Sequence, residues 1–355
     1  MAETRAGMPQ DLSVSAVFFG HPLLDMSVIA SEELLARHGI REGSVDLATP
    51  EQLPIFTKLL DAKDTMYNPG GAAMNTARTM KWICPQIGVC CVGAMGCDQF
   101  QKLFTEALDT AGVQHLFEYH EDVPSGTCAA LVVKKERAML ANLGAATRVS
   151  LGHMQSSDVA EAIEMASLFY TEGFFLNTVS SPDNILLVAE HAFREGKLFC
   201  FNLSAPYVCS AFRDQINLLL PYVDILFGCK DDFAAFGTVM WGADVAGDIR
   251  ESILRTVQLP KRNTSRPRLV VATCGGDATL VADEGGVAAY DVPRVDEAHI
   301  VDLTGAGDAF VGGFLAQYAQ HPAIDACVAA GHAAAAVVIR QWGVRLNGDP
   351  PQLRN

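Results

Sequence analysis

Basic residues are scarce in this chain, and they do not gather. Twenty-six lysines and arginines stand against 41 acids, a formal charge of −15, and the densest basic cluster is the "KKER" of residues 134–137. A nucleic-acid surface needs a basic face to displace the counterions of the phosphates, so no nucleic-acid partner is expected, and no attraction to an anionic bilayer. Long apolar runs are missing too. The N-terminal "MAETRAGMPQDLS" lacks the apolar core of a signal peptide. The least polar stretch, "ACVAAGHAAAAVVIRQW", is interrupted by His332 and Arg340 and reads as a buried helix, so no membrane partner is expected either. There is no CxxC pair, internal repeat, low-complexity tract or Pro/Ser-rich linker. Ten cysteines without an export signal imply reduced thiols and a cytoplasmic location. Cys90 and Cys91 adjoin in the strand-like "IGVCCVG", where neighbours point to opposite faces and do not share a metal.

What is present suits a large core. Half of the 355 residues are hydrophobic and 19% are charged, which fits one large α/β domain plus an accessory piece. "SVSAVFFG", "IGVCCVG", "SLFYTEG", "KLFCFNL", "DILFG" and "RLVVATCGG" read as buried strands. Between them, "GAAMNTARTMKWI", "SPDNILLVAEHAFREG", "DDFAAFG", "GDIRESILRTVQ" and "GAGDAFVGGFLAQYAQ" read as helices. Strand-then-helix alternation predicts a parallel, helix-covered sheet with its ligands beyond the carboxyl ends of the strands. Two stretches break the alternation: Leu24 to Gly70, and "SGTCAALVVKKERAMLANLGAAT", which reads as two strands joined by a charged turn at Lys134–Arg137. Both are assigned to a small β-rich lid inserted into one domain, without an obvious apolar outer strand.

The densest chemistry lies in "HIVDLTGAGDAFVGGFLAQ", residues 299–317. The first amides of a helix have no intrahelical partner, and the aligned peptide dipoles leave about half a positive charge there. Gly305, Ala306 and Gly307 offer those amides to a phosphate or a developing negative charge. An acid beside such a nest is out of place unless it takes a proton from an attacking hydroxyl, so Asp308 is the candidate base. The plainer alternative is an aspartate that caps its helix, with glycines that allow tight packing.

"DLTGAGDAFVGGF" resembles the C-terminal signature of ribokinase-type (PfkB) sugar and nucleoside kinases. "GHPLLDMS", "YNPGGAAMNTARTMKWI", "PSGTCAALV", "LANLGAAT", "EGFFL", "FNLSAPY", "PYVDILFG" and "AGHAAAAVVIR" are similar, in the same order from about residue 18 to 343, to the adenosine-kinase branch of that family. The resemblance implies an α/β fold: a ribokinase-like three-layer sandwich whose mostly parallel central sheet is covered by helices, with a small β-rich lid. Residues 1–23, 71–122 and 147–355 would form the large nucleotide-binding domain, and 24–70 with 123–146 the discontinuous lid. It further implies transfer of the γ-phosphoryl group of Mg-ATP to the 5′-hydroxyl of adenosine, giving AMP and ADP. ATP and Mg²⁺ are then the cofactors, adenosine and ATP the partners, and the chain a monomer.

The resemblance also carries roles. Asp308 is the base and Gly305, Ala306 and Gly307 the anion hole, while Asp25 of "PLLDMS" holds the ribose hydroxyls. Gly70 and Gly71 form the lid's hinge, with Asn75 at the start of the following helix. Phe174 and Tyr207 stack near the nucleoside, and Cys128, Met139, Ala141 and Leu143 line the lid's apolar side. Arg137, on sequence alone a solvated hairpin charge, reaches the transferring phosphate on closure. Thr273, Gly275 and Gly276 of "TCGGDAT" lie where ATP binds, and His332 near its adenine. Asp232 is the metal-site residue. Several positions depart from the family pattern. His21 replaces an asparagine, Ala72 a serine, Leu303 a threonine, Tyr207 a phenylalanine, and "CKDD" puts Cys229 and Asp232 where asparagine and glutamate are usual. Those departures leave two alternatives open: a related nucleoside or sugar kinase with another acceptor, and a catalytically weakened nucleoside-binding paralogue.

Overall fold

A computed structural model describes residues 14–354 apart from 43, 63, 134, 135, 243, 244 and 246. In chain order the strands are β1 (Val14–Phe19), β2 (Leu23–Ile29), β3 (Val45–Leu47), β4 (Met66–Gly70), β5 (Gly88–Gly96), β6 (Gln114–His120) and β7 (Gly126–Val133). They continue with β8 (Glu136–Asn142), β9 (Leu168–Glu172), β10 (Leu198–Asn202), β11 (Ile225–Cys229), β12 (Leu269–Cys274), β13 (Asp277–Asp283) and β14 (Gly286–Tyr290). They form two sheets. The larger runs β14-β13-β12-β11-β10-β9-β1-β5-β6, parallel from β6 to β12 and ending in an antiparallel hairpin extension.

Strand periodicity makes this sheet the middle of three layers. Val17, Phe19, Cys90, Phe169 and Phe201 point into one core, shared with the helices Ser157–Met165, Asp183–Arg194, Lys230–Trp241 and Ile249–Val257. Phe18, Cys91, Tyr170 and Cys200 point into the other, shared with Ala72–Ile83, Ala306–Gln320 and Ile324–Val338. Cys90 and Cys91 thus part to opposite faces. All six runs read as strands lie in the large sheet, and the five helices read between them form. The stretch around His332 is the helix Ile324–Val338.

β1 lies between β5 and β9, so the strand order reverses there and opens a crevice beyond the carboxyl ends. The smaller sheet, β3-β8-β7-β2-β4, stands over that crevice. Its strands obey the same alternation. Met26, Ala129, Leu131 and Leu140 pack on the helices Glu32–Arg37 and Pro54–Asp61, while Asp25, Cys128, Met139 and Ala141 face the crevice.

The sequence reading missed β6, β13 and β14 in the large sheet, which are edge or near-edge strands with partly polar patterns. β7 and β8 pair antiparallel as expected, with Val132 opposite Arg137 and Val133 opposite Glu136, so Glu136 and Arg137 belong to β8; the rest of the expected turn, residues 134 and 135, lies outside the described residues. Edge strand β3 also exposes Val45 and Leu47, apolar side chains on an outer strand where none was expected.

Candidate active site

The two aspartates of the 299–317 segment do different things. Asp302 is buried, and its oxygens accept from the backbone amides of Thr304 (2.9 Å) and Gly343 (2.8 Å). That clamp ties the loop before the helix Ala306–Gln320 to the segment after Ile324–Val338. Asp308 lies in the helix's first turn and accepts at Oδ2 from Asn75 Nδ2 at 3.0 Å. Asn75 is itself buried in the first turn of Ala72–Ile83. Burial pushes the Asp308 carboxyl up to about 6, and the Asn75 bond opposes the rise. The group is therefore mostly ionised at neutral pH, yet close enough to it to accept a proton.

The glycines around it serve separate ends. Gly305 has φ +75°, and a Cβ there would stand 2.1 Å from Val344 Cγ2, so backbone and packing both demand glycine. Nothing lies within 4 Å of a Cβ built on Gly307. Its surroundings are open, as an approach to the helix N-terminus requires. The Ala306 amide, expected in the anion hole, donates to the Leu303 carbonyl at 3.2 Å. The amides of Gly307 and Asp308 are the ones that the helix geometry leaves over.

Across the crevice, Asp25 on β2 sits against Gly70 of β4. A Cβ at Gly70 would be 2.3 Å from the carboxylate, so this glycine makes room for Asp25. Gly71, at φ +90°, brings its Cα against the His21 carbonyl, 2.0 Å from a would-be Cβ. It joins β4 to the helix Ala72–Ile83.

Asp25, Gly71, Asn75, Gly305 and Asp308 line one cavity of about 380 Å³, within the range of small-molecule sites. Cys128, Met139 and Ala141 on the smaller sheet, with Leu143 just after it, form its apolar roof, and Phe174 and Tyr207 one wall. The two rings are 6.2 Å apart at 35°. A second cavity, of about 150 Å³, is lined by Gly307, Cys229, Asp232 and Thr273. Asp308, Ala72, Phe174 and Ser204 line both, so the candidate base stands on the boundary between the two spaces.

Asp232 is buried, and with Cys229 it closes a capping box: Oδ2 accepts from the Cys229 amide at 2.7 Å, and the Cys229 side chain accepts from the Asp232 amide. Its Oδ1 has no partner, which suits a cation or a cation's water at the second cavity. Among the described residues no three His, Cys, Asp or Glu groups converge as a metal site.

Some expected residues fall elsewhere. Gly275 and Gly276 form the exposed β12–β13 turn, beside but outside the second cavity. His332 is buried against Phe310, its Nε2 2.8 Å from Thr279 Oγ1, and lines neither cavity. The Arg137 side chain lies outside the described residues. Among the lining residues of the larger cavity without a role in the sequence analysis, Glu172 and His21 are titratable and each only 1% exposed. For Glu172 the available signal was an acid closing the buried strand "SLFYTE".

A family described as pfkB family carbohydrate kinase matches residues 43–350. The chain is 36% identical to the adenosine kinase of Dictyostelium discoideum over 337 residues, 94% of this chain and 97% of that one. Adenosine kinase 2 of Arabidopsis thaliana is 35% identical, with 91% and 93% covered. Among solved structures, Anopheles gambiae adenosine kinase in complex with P1,P4-di(adenosine-5) tetraphosphate superposes with a TM-score of 0.89 at 33% identity, covering 95% and 98%. Schistosoma mansoni adenosine kinase in complex with 2-fluoroadenosine gives 0.89 at 30%, covering 95% and 99%.

Proposed function

The chain belongs to the pfkB carbohydrate kinase family, and from that premise we propose that it phosphorylates adenosine at the 5′-hydroxyl with ATP, giving AMP and ADP. Its fold is the ribokinase-like α/β sandwich with a second, smaller sheet. The observation that carries the reading is Asp308 at the boundary of two cavities, one of nucleoside size that also holds Asp25.

Asp25 holds the ribose diol, which needs a fixed acceptor pair, and the flat base lies between Phe174 and Tyr207 and the apolar roof. This directs the 5′-hydroxyl toward Asp308. Asn75 orients the carboxylate, which takes the hydroxyl proton as the oxygen attacks phosphorus. Charge developing on the transferred group meets the free amides at the start of the helix Ala306–Gln320. Thr273, Gly275 and Gly276 border the ATP side, and we keep His332 as a residue behind the ATP base rather than in contact with a cavity. Asp232 Oδ1 fits Mg²⁺ held through water; when bound, the ion neutralises phosphate charge.

Residues 24–70 and 123–146 act as a lid, with Gly70 and Gly71 as hinge and Arg137 reaching the phosphate. Closure excludes water that would compete with the acceptor. The working unit is a monomer, the setting cytoplasmic and the role purine salvage; no helix of the described residues is long and apolar enough to cross a membrane. The test is acceptor competition in one assay of ADP release. Adenosine should be preferred over other purine nucleosides and over sugars; preference for a polyol would refute the nucleoside reading.

A further inference from the structure

Glu172 closes β9 where the strand order reverses, and the roles above leave it unused. It lines the larger cavity with Asp308, is 1% exposed, and its Oε2 has no hydrogen-bond partner. It packs close to Gly20: a Cβ there would stand 2.5 Å from Ala73 Cβ and 3.1 Å from Glu172 Oε1. The backbone amides of His21, after β1, and of Ala73, in Ala72–Ile83, donate to it. The titratable side chains around it are Tyr170 on β9, Tyr207 on the helix Pro206–Ala211, His21 and Asp308. Burial raises both phenols and lowers His21 to about 4, with neither ring nitrogen partnered, so these three are neutral near pH 7. The ionised group acting on Glu172 is Asp308.

Two carboxyls buried at one cavity wall do not both ionise readily; the pair gives up its protons in two separated steps. Asp308 has the Asn75 amide and the helix N-terminus in its favour, so it ionises first. Glu172 is raised well above the ordinary carboxylate range by burial and then by the Asp308 charge. We propose that Glu172 is the proton-holding partner of Asp308: a positioning residue whose neutral carboxyl lets the base stay charged through the neutral range, and whose own ionisation closes the working window on the alkaline side. With both groups charged, the cavity repels the incoming phosphate. The proposal rests on Asp308 being the base for an alcohol acceptor, as argued above.

Protonation is read without substrate, by infrared difference spectra of the ligand-free full-length protein at pH 7. The expected result is a carboxylic-acid C=O stretch in the wild type that Glu172→Gln loses. No such band, or a band that persists in the variant, overturns the proposal whichever acceptor the enzyme uses. The profile of kcat/KM against pH is the second readout. Glu172→Gln should stay within about three-fold of wild type at pH 7 and lose the alkaline limb. Glu172→Met, of similar volume and untitratable, should lose the same limb. An alkaline limb retained in both variants contradicts the assignment.

Discussion

A carboxylate kept charged inside a cavity is a weak point in the fold that holds it. Burial lifts Asp308 to about 6, whereas an unfolded aspartate titrates near about 3.9. The folded chain therefore binds this proton more tightly, so the group's contribution to stability is complete below about pH 4 and is lost as pH rises through about 6. Asp308→Asn removes the titration. Urea unfolding of the variant and the wild type should agree at pH 4, and at pH 7.5 the variant should be the more stable by on the order of 1–3 kcal/mol. An equal difference at both pH values would contradict the burial account. Asp308 stood out because an acid follows a string of small residues at a helix start. Glu172 did not, and His21 showed only as a departure from the family pattern. One closes β9 and the other follows β1, and only the approach of other elements buries them on the cavity wall.

At the scale of elements, the edge of the sheet opposite the crevice is held by charge. Asp224, just before β11, accepts from Lys261 Nζ at 2.6 Å, from Arg266 at 3.0 Å and from the Phe199 amide of β10 at 3.0 Å. Arg268, fully buried before β12, donates to the carbonyls of Thr256, Leu259, Leu220 and Pro260. These contacts fix β10, β11 and β12 in register and so fix the far ends that carry Cys229 and Thr273. Removing one partner of a buried ion pair leaves the other without compensation. Asp224→Ala should cost about 3–5 kcal/mol in equilibrium unfolding, with the substrate KM of the folded fraction unchanged. A loss below about 1 kcal/mol would place the pair among ordinary surface contacts. The contact was not readable from the chain, because Asp224 and Lys261 are 37 residues apart, and neither the strand run "DILFG" nor the loop around Lys261 names its partner. The strands themselves were readable, being apolar on both faces.

The whole molecule joins two sheets with separate cores around one crevice. A helix packed on the larger sheet supplies Asp308, and the smaller sheet supplies Asp25 and most of the apolar roof. The glycine strings told where the chain must come close to something. What comes close, Asp25 against Gly70 and Val344 against Gly305, depends on partners remote in sequence or in another strand. If the smaller sheet closes on the nucleoside, adenosine should slow amide exchange in β2, β7 and β8 by at least about ten-fold while leaving β13 and β14 unchanged. Uniform slowing across both sheets would argue for general stabilisation instead of closure.

The claim that supports the rest is that Asp308 removes the acceptor's proton from beside a nucleoside held by Asp25. Transfer of labelled γ-phosphate from ATP to adenosine, measured for wild type and Asp308→Asn alongside calorimetric adenosine affinity, tests it most directly. The account predicts AMP formation by the wild type, a kcat at least about 10²-fold lower in the variant, and an adenosine Kd within a few-fold. A variant that turns over at the wild-type rate, or a wild type that binds adenosine tightly and makes no AMP, would contradict it.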